Sequence, residues 1–331
     1  MPSRSNSYIY LSNTFLLRAC VDHHVFTKKP LFVTAYDFEQ AFDSLWLEDC
    51  ILSLQKLGID KEYLQLIYNL NKRAIVTVQT PQGETAKFET EPIVKQGTVL
   101  GPVLCSSSTA EYCDYNVGVC MGTINIPSLV YVDDIIDLTR SAVDCEKAHE
   151  NALLFGKKKK IKYSGTKCFN MALNNKNNNL PHLVIDEESN VLSKDEIIYL
   201  GDIFNRLGNN DGLIADRVRR GTKAMVTIMS LMAETDVGVH KISTMLLLYT
   251  SLFLSTMLFN SQSWSKIRPK QMEKLKVIQL RYLKRILGLA NSTCNSFLFL
   301  ELGVLPINFE IDKRRLMYLH RILNLEESDP V

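Results

Sequence analysis

The sequence has no C-x-x-C pair and no histidine pair at zinc-finger spacing. Its eight cysteines, Cys20, Cys50, Cys105, Cys113, Cys120, Cys145, Cys168 and Cys294, are scattered without pattern, which argues against a zinc site and reads as reduced thiols of an intracellular protein. His23 and His24 have no partner pattern and read as surface residues. The first ten residues are polar and lack the apolar segment of a secretory signal. The most apolar run, 244–260, is shorter than a membrane span requires and is diluted by Thr250, Ser251, Ser255 and Thr256, so it reads as a buried helix. There is little net charge, only +2, so a nucleic-acid partner would have to meet clustered basic residues. No internal repeat is evident. What is present is an ordinary globular composition, 46% hydrophobic and 22% charged over 331 residues. That length corresponds to about two domains.

The pattern along the chain is mixed at first and helical later. Leu31–Tyr36 is a β-rich apolar run that ends at Asp37, and residues 1–30 before it show no clear period. Helical spacing runs from Leu45 to Leu57, stopped by Gly58, and again from Lys61 to Arg73. Residues 74–80 and 86–90 alternate around Pro81-Gln82-Gly83 as a hairpin does. A helix is expected over Leu100–Val117. Two apolar runs, 129–132 and 135–138, then flank Asp133-Asp134 and predict a hairpin with both carboxylates at its tip. Residues 144–158 read as a helix, 174–179 as an Asn-rich loop and 197–201 as a strand. Beyond residue 210 the period is helical. One stripe carries Arg217, Arg219, Arg220 and Lys223 away from its apolar centre. A second, 272–287, has Lys270, Lys274, Arg281, Lys284 and Arg285 on its polar side, and a last helix over 308–325 carries Lys313, Arg314, Arg315 and Arg321. Lys157–Lys160 reads as a solvated helix end.

Three segments carry chemistry together. They are Asp37-Phe38-Glu39-Gln40-Ala41-Phe42-Asp43 after a strand, Gln96-Gly97-Thr98-Val99-Leu100-Gly101-Pro102 before a helix, and Tyr131-Val132-Asp133-Asp134 at a hairpin tip. Taken singly, an Asp after a strand is ordinarily a cap or turn residue, Asp-Asp between apolar runs a solvated turn, and Gln-Gly a loop. Asp43 fits a cap for the helix from Leu45. Together, one carboxylate at a strand end and two at a hairpin tip are what two-metal phosphoryl transfer needs, with ions about 4 Å apart. Hard oxygen donors of this kind suit Mg²⁺.

These segments resemble motifs A, B and C of the reverse transcriptase family, in the form of LINE-like non-LTR retrotransposons: D-F-x-x-A-F-D, Q-G-T-V-L-G-P and Y-V-D-D. Lys167-Cys168 is similar to motif D and Tyr199-Leu200-Gly201 to motif E, the primer grip. Glu301-Leu302-Gly303-Val304-Leu305-Pro306-Ile307 is similar to a segment of such thumbs and favours the retrotransposon type over a group II intron maturase. The resemblance covers about residues 30–323 and implies an α+β fold, a polymerase-type palm with an antiparallel sheet and packed helices over 31–207, followed by an all-α thumb over 208–331. Residues 1–30 would be a remnant of the fingers or a disordered lead-in, with Arg18–His23 similar to the tail of that region.

The resemblance further implies an RNA-directed DNA polymerase that adds deoxynucleotides to a primer 3′-hydroxyl on an RNA template, using two Mg²⁺ ions, with Mn²⁺ as a substitute. Asp37 and Asp133 would bridge the metals with Asp134 beside them, and the Phe38 carbonyl would be a further ligand. Phe42 falls at the steric gate against a nucleotide 2′-hydroxyl, and also fits plain core packing. Gln96 and Gly97 would contact nucleotide and template. Lys167 would neutralise or protonate pyrophosphate, or be an ordinary surface lysine. Tyr199, Leu200 and Gly201 would grip the primer, and Arg217, Arg219, Arg220 and Lys223 would meet backbone phosphates, a solvated helix face being the bland reading. No membrane partner is implied. Such enzymes work on chromosomal DNA, which implies nuclear access after cytoplasmic synthesis, although no targeting signal is evident.

Only 36 residues precede Asp37, fewer than the family's fingers require, and neither an endonuclease domain nor a Cys/His knuckle is seen. A chain lacking fingers would have an open nucleotide site and an exposed apolar palm face. The competing expectations are therefore a catalytically inactive nucleic-acid-binding remnant of a truncated element, and a protein-interaction module built on the helical half.

Overall fold

The computed structural model describes residues 4–40, 44–73, 75–89, 94–95, 97–115, 118–175, 180–234 and 241–324. The chain divides into two compact units, Cys20–Leu200 in one and Met1–Ala19 with Gly201–Val331 in the other. A helix α1 (Arg4–Thr27) replaces the disorder that is one of the two expectations for the lead-in.

The central unit is built on a five-stranded sheet. Its elements are β1 (Leu31–Tyr36), α2 (Leu47–Lys56), α3 (Lys61–Asn71), β2 (Ile75–Val76), β3 (Gln79–Thr80), β4 (Gly83–Glu84), β5 (Phe88–Glu89), α4 (Gly101–Thr109), β6 (Val119–Met121), β7 (Ile124–Ile126), β8 (Ser128–Tyr131), β9 (Asp134–Thr139), α5 (Ala142–Lys159), β10 (Phe169–Leu173), β11 (Leu192–Ser193) and β12 (Glu196–Tyr199). The sheet order is β11-β10-β1-β9-β8, antiparallel except for the short parallel pair β10–β11 at one edge. β1 is the middle strand, so its run of apolar residues is buried almost throughout. The register sets Tyr36 opposite Ile135 and Tyr131 opposite Asp134, which brings the end of β1 to the β8–β9 hairpin.

Helices cover this sheet through a core that includes Phe32, Tyr36, Phe38, Leu47, Leu104, Tyr112 and Phe155. α5 starts at Ser141, whose hydroxyl accepts from the Asp144 amide at 3.0 Å, and its last turn carries Lys157, Lys158 and Lys159 where cations oppose the helix dipole. Lys159 is not solvated as expected. It is buried, donating to Ser53 Oγ at 3.2 Å and facing Glu111 at 3.7 Å. α2 and α3 leave Leu52, Leu57, Tyr63, Leu66 and Leu70 exposed, an apolar surface on this unit. His24, expected at the surface, is buried with Nδ1 2.8 Å from the Cys20 carbonyl.

In the other unit, β13 (Asp202–Asn205) leads into α6 (Asp211–Glu234), α7 (Lys241–Leu248), a π-helical turn (Tyr249–Leu254), α8 (Ser255–Met257), α9 (Pro269–Ile286), α10 (Asn295–Leu302) and α11 (Ile307–Leu323). The 244–260 run is not one buried helix as expected: one face places Met245, Tyr249, Phe253, Met257 and Leu258 in a core with Leu275, Tyr282 and Ile311, while Leu247 and Leu252 are exposed. No helix among the described residues is long and apolar enough to cross a membrane. Gln279, fully buried, donates to Tyr249 Oη at 2.7 Å and to the Leu305 carbonyl at 2.8 Å while accepting from the Ile307 amide at 2.8 Å. It thereby clamps the Gly303–Ile307 segment and satisfies an amide at the start of α11. Seven cysteines outside position 113 are free thiols.

Candidate active site

Asp37 follows β1, and its backbone is tied down on the far side of the strand. The Ser164 amide donates to the Asp37 carbonyl and the Glu39 amide to the Lys162 carbonyl, each at 2.9 Å, and Phe38 bridges Tyr163. The Phe38 ring is buried against Tyr163 with centroids 5.3 Å apart. The hairpin tip consists of Val132 and Asp133, because Asp134 already pairs with Tyr131. The expected tip is thus displaced by one residue: Asp134 opens β9 instead of sharing the turn with Asp133.

The three carboxylates sense one another. Burial is the main cause that raises Asp134, to about 6, with Asp133 and Asp37 adding repulsion and Lys167 opposing it. Burial also raises Asp133 first, and the Asp37 charge adds to it. Lys167 stands in the open with Nζ 3.1 Å from Asp37 Oδ1, and the hydrogen bond to Asp37 raises its pKa. Two acids that resist ionisation, Asp133 and Asp134, beside a third that recruits an ammonium make a site electrostatically short of cation. Among the described residues no group of three His, Cys, Asp or Glu side chains stands ready as a metal cage. The oxygen donors nonetheless suit Mg²⁺, which is held through one or two carboxylates together with substrate phosphates and water.

A buried polar layer lies under the hairpin. Asp137, on β9, accepts from Tyr112 Oη at 2.6 Å and Ser128 Oγ at 2.7 Å, and is buried. Tyr36 Oη lies 3.0 Å from His149 Nδ1, whose Nε2 lies 2.8 Å from the Val184 carbonyl. The Thr109 hydroxyl, at the end of α4, reaches the Val132 carbonyl at 3.1 Å. Sequence reasoning missed Asp137 and Thr109. The one available signal was an acid inside the apolar run Ile135-Ile136-Asp137-Leu138, which demands buried donors.

The remaining expected residues scatter. Phe42, Asp43 and Gln96 lie outside the described residues. Gly97 has φ 78°, with open space where a Cβ would stand, so its backbone conformation, not crowding, requires glycine. Tyr199 is buried, and Leu200 and Gly201 both take left-handed φ, 45° and 78°, the type I′ pattern, with a leucine where Asn or Gly is usual. The expectation for Arg217 is corrected: its side chain is only 2% exposed and donates to Asp202 at 2.6 Å and to the Gly201 carbonyl at 2.8 Å, so no phosphate can reach it. Arg219 and Arg220 are exposed and both clasp Asp216, at 2.5 and 2.6 Å, while Lys223 is exposed. Further along, Lys284 is buried and donates to the Asn291 carbonyl, Arg314 donates to the Leu258 carbonyl and Arg315 to that of Trp264. These three, expected on open basic faces, tie off backbone acceptors.

The sequence matches the family described as "Reverse transcriptase (RNA-dependent DNA polymerase)" over residues 6–204, so the match takes in most of α1. It is 29% identical over 179 residues to the RNA-directed DNA polymerase from mobile element jockey of Drosophila funebris, covering 51% of this chain and 19% of that protein. It is 26% identical over 223 residues to the Retrovirus-related Pol polyprotein from type-1 retrotransposable element R2 of Nasonia vitripennis, covering 59% of this chain and 20% of that one. Among solved structures, apo telomerase from Candida tropicalis aligns with 82% of this chain and 50% of its own, at 15% identity and a TM-score of 0.46. The chain spans about a fifth of the length of the two curated relatives it matches. With the family match covering more than half of the chain and the three acids of two motifs, Asp37, Asp133 and Asp134, meeting at one hairpin, the chain belongs to the reverse transcriptases, in the form found in non-LTR retrotransposons.

Proposed function

We infer that this chain catalyses RNA-directed extension of a DNA primer by two-metal phosphoryl transfer. The observation that carries the reading is the convergence of Asp37, Asp133 and Asp134 with Lys167 at the meeting of β1 and the β8–β9 hairpin. Asp37, Asp133 and Asp134, with the Phe38 carbonyl, would hold two Mg²⁺ or Mn²⁺ ions. When bound, such ions activate a primer 3′-hydroxyl and neutralise charge on the leaving pyrophosphate.

The chain's own groups supply the rest. Burial and mutual repulsion keep Asp133 and Asp134 poised to exchange a proton for a cation. Lys167 Nζ holds Asp37 Oδ1 and, once that oxygen is given up, is a charged donor at the edge of the site for a developing phosphate oxyanion. Gly97, Gln96 and Phe42 would bound the nucleotide, and Tyr199, Leu200 and Gly201 the primer end. Arg219, Arg220 and Lys223 are the exposed cations of α6 that would meet backbone phosphates. A reaction on chromosomal DNA would take place in the nucleus.

The test is primer extension on an RNA template with Mg²⁺ and deoxynucleoside triphosphates, comparing the chain with Asp133→Asn. Extension that vanishes in the variant supports the reading. No extension from either, with both folded and binding primer–template with a steep salt dependence, replaces it with a nucleic-acid-binding remnant. Binding that ignores salt points to a protein-interaction module.

A further inference from the structure

The turn that presents Asp133 is conformationally undecided by its sequence. Tyr131 pairs with Asp134, so Val132 and Asp133 form a two-residue loop. Val132 has φ 58°, whereas Asp133 is not in the left-handed region. Positive φ at the first loop residue alone is the type II′ pattern, and positive φ at both is type I′. The two forms differ by a flip of the peptide between Val132 and Asp133. Type II′ normally takes glycine at its first position, and a β-branched residue there is strained. Aspartate tolerates the left-handed region, so type I′ is a close competitor. Such a flip would change φ at Asp133 and swing its carboxylate away from Asp37.

Two contacts select the observed form. The Val132 side chain packs on the sheet core. Its carbonyl, which belongs to the very peptide that would flip, accepts from Thr109 Oγ1 at 3.1 Å. Thr109 is fully buried at the last residue of α4, a helix that begins four residues after Gly97. The bland account is that Thr109 merely bonds back to its own helix, since the Cys105 and Ser106 carbonyls are also within 3.1 and 3.3 Å. That account leaves the strain at Val132 without a restraint on its carbonyl.

We propose that Thr109 is a positioning residue: its hydroxyl locks the Val132–Asp133 peptide and so aims the Asp133 carboxylate at the metal site, coupling the helix that follows Gly97 to the acidic turn. This rests on the reading of Asp133 as a metal-holding carboxylate. The test uses the full chain with Thr109→Val, which keeps shape and removes the hydroxyl, and Thr109→Ser, which keeps the hydroxyl. Mn²⁺ binding is followed through the electron paramagnetic resonance of the free ion, alongside the Mg²⁺ dependence of primer extension and thermal melting.

Thr109→Val is expected to weaken Mn²⁺ binding and raise the half-saturating Mg²⁺ about five- to tenfold, the scale of one hydrogen bond. Thr109→Ser should stay close to wild type. Thr109→Val with wild-type Mn²⁺ affinity, where Asp133→Asn has lost it, overturns the proposal, as does an equal defect in the Ser and Val variants. Wild-type protein that binds Mn²⁺ but extends no primer sinks the polymerase reading alone, and the Mn²⁺ titrations of the two variants still decide on Thr109. Wild-type protein that binds no Mn²⁺ overturns both.

Discussion

Asp134→Asn should make the metal-free protein more stable while damaging its metal site. Burial, then repulsion from Asp133 and Asp37, lifts Asp134 to about 6, roughly two pH units above the ordinary aspartate value at about 1.4 kcal/mol per unit. The ionised form therefore costs the folded state about 3 kcal/mol, and solvent contact and relaxation reduce what a neutral amide recovers to about 1–2 kcal/mol. For a unit of this size that corresponds to a melting temperature about 2–8 °C higher.

The pH window follows from the sign. The folded pKa lies above the unfolded one, so the folded state holds the proton more tightly. Stability is greatest below the ordinary aspartate range and is lost as pH rises through about 6. Melting curves in EDTA at pH 8 should favour the variant; at pH 5 the folded Asp134 is mostly protonated but the unfolded one is still ionised, so the gap should shrink to about half, closing only below about pH 4. Adding Mg²⁺ at pH 8 should close it from the other side, since the ion stabilises the protein that binds it. A variant that melts at or below wild type at pH 8, or a gap that persists unchanged at pH 5, refutes the idea that these acids are held at a cost for the sake of a cation.

Two further outcomes follow from the ion pairs. Lys167→Ala should leave thermal stability nearly unchanged, because the side chain stands in solvent, yet tighten Mn²⁺ binding by freeing Asp37 Oδ1 and slow extension. Ion titration and single-turnover rates measured together check it, and weaker binding would refute it. Arg217→Met should destabilise by about 3–5 kcal/mol by leaving Asp202 buried without its partner. The loss should be smaller at low pH, where burial already favours the protonated Asp202. Urea unfolding at two pH values measures this, and a mild, pH-independent effect would mean the pair is dispensable.

Much of the fold was legible wherever local chemistry and tertiary demand agreed. β1 was read to the residue because a run that is apolar on both faces, bounded by Pro30 and Asp37, has few other solutions. The stop at Gly58 was readable because a glycine there takes the left-handed φ, 85°, that ends a helix. α1 was not legible: Asn13, Thr14, Arg18 and His24 are buried along with Leu17 and Val21, so no apolar stripe marks the helix. β10, the partner of β1, was missed because the buried Asn170 interrupts its short pattern. The helix expected over 100–117 gives way to a tighter 3₁₀ turn after Thr109, and the switch to π-helical pitch at Tyr249 leaves no compositional trace.

At the site, sequence identified the acids but not their register. A pair of carboxylates between apolar runs looks like a tip made of both, yet the left-handed residue is Val132 and Asp134 is already in the strand. No propensity argument would place a valine there, which is why the error fell on that residue. Arg217 was misread for a related reason. Helical spacing put it off the centre of the apolar stripe, and only the tertiary fold reveals Asp202 waiting in the strand before. Local rules are therefore broken where the motifs sit: at Gln40 (φ 50°), at Val132 (φ 58°), at Leu200 (φ 45°) and at the buried Asp137. A residue held against its own preference in three separate turns must be over-determined by its surroundings. At Val132 that surrounding structure includes a single hydroxyl, Thr109, whose removal separates strain tolerated by chance from strain put to use.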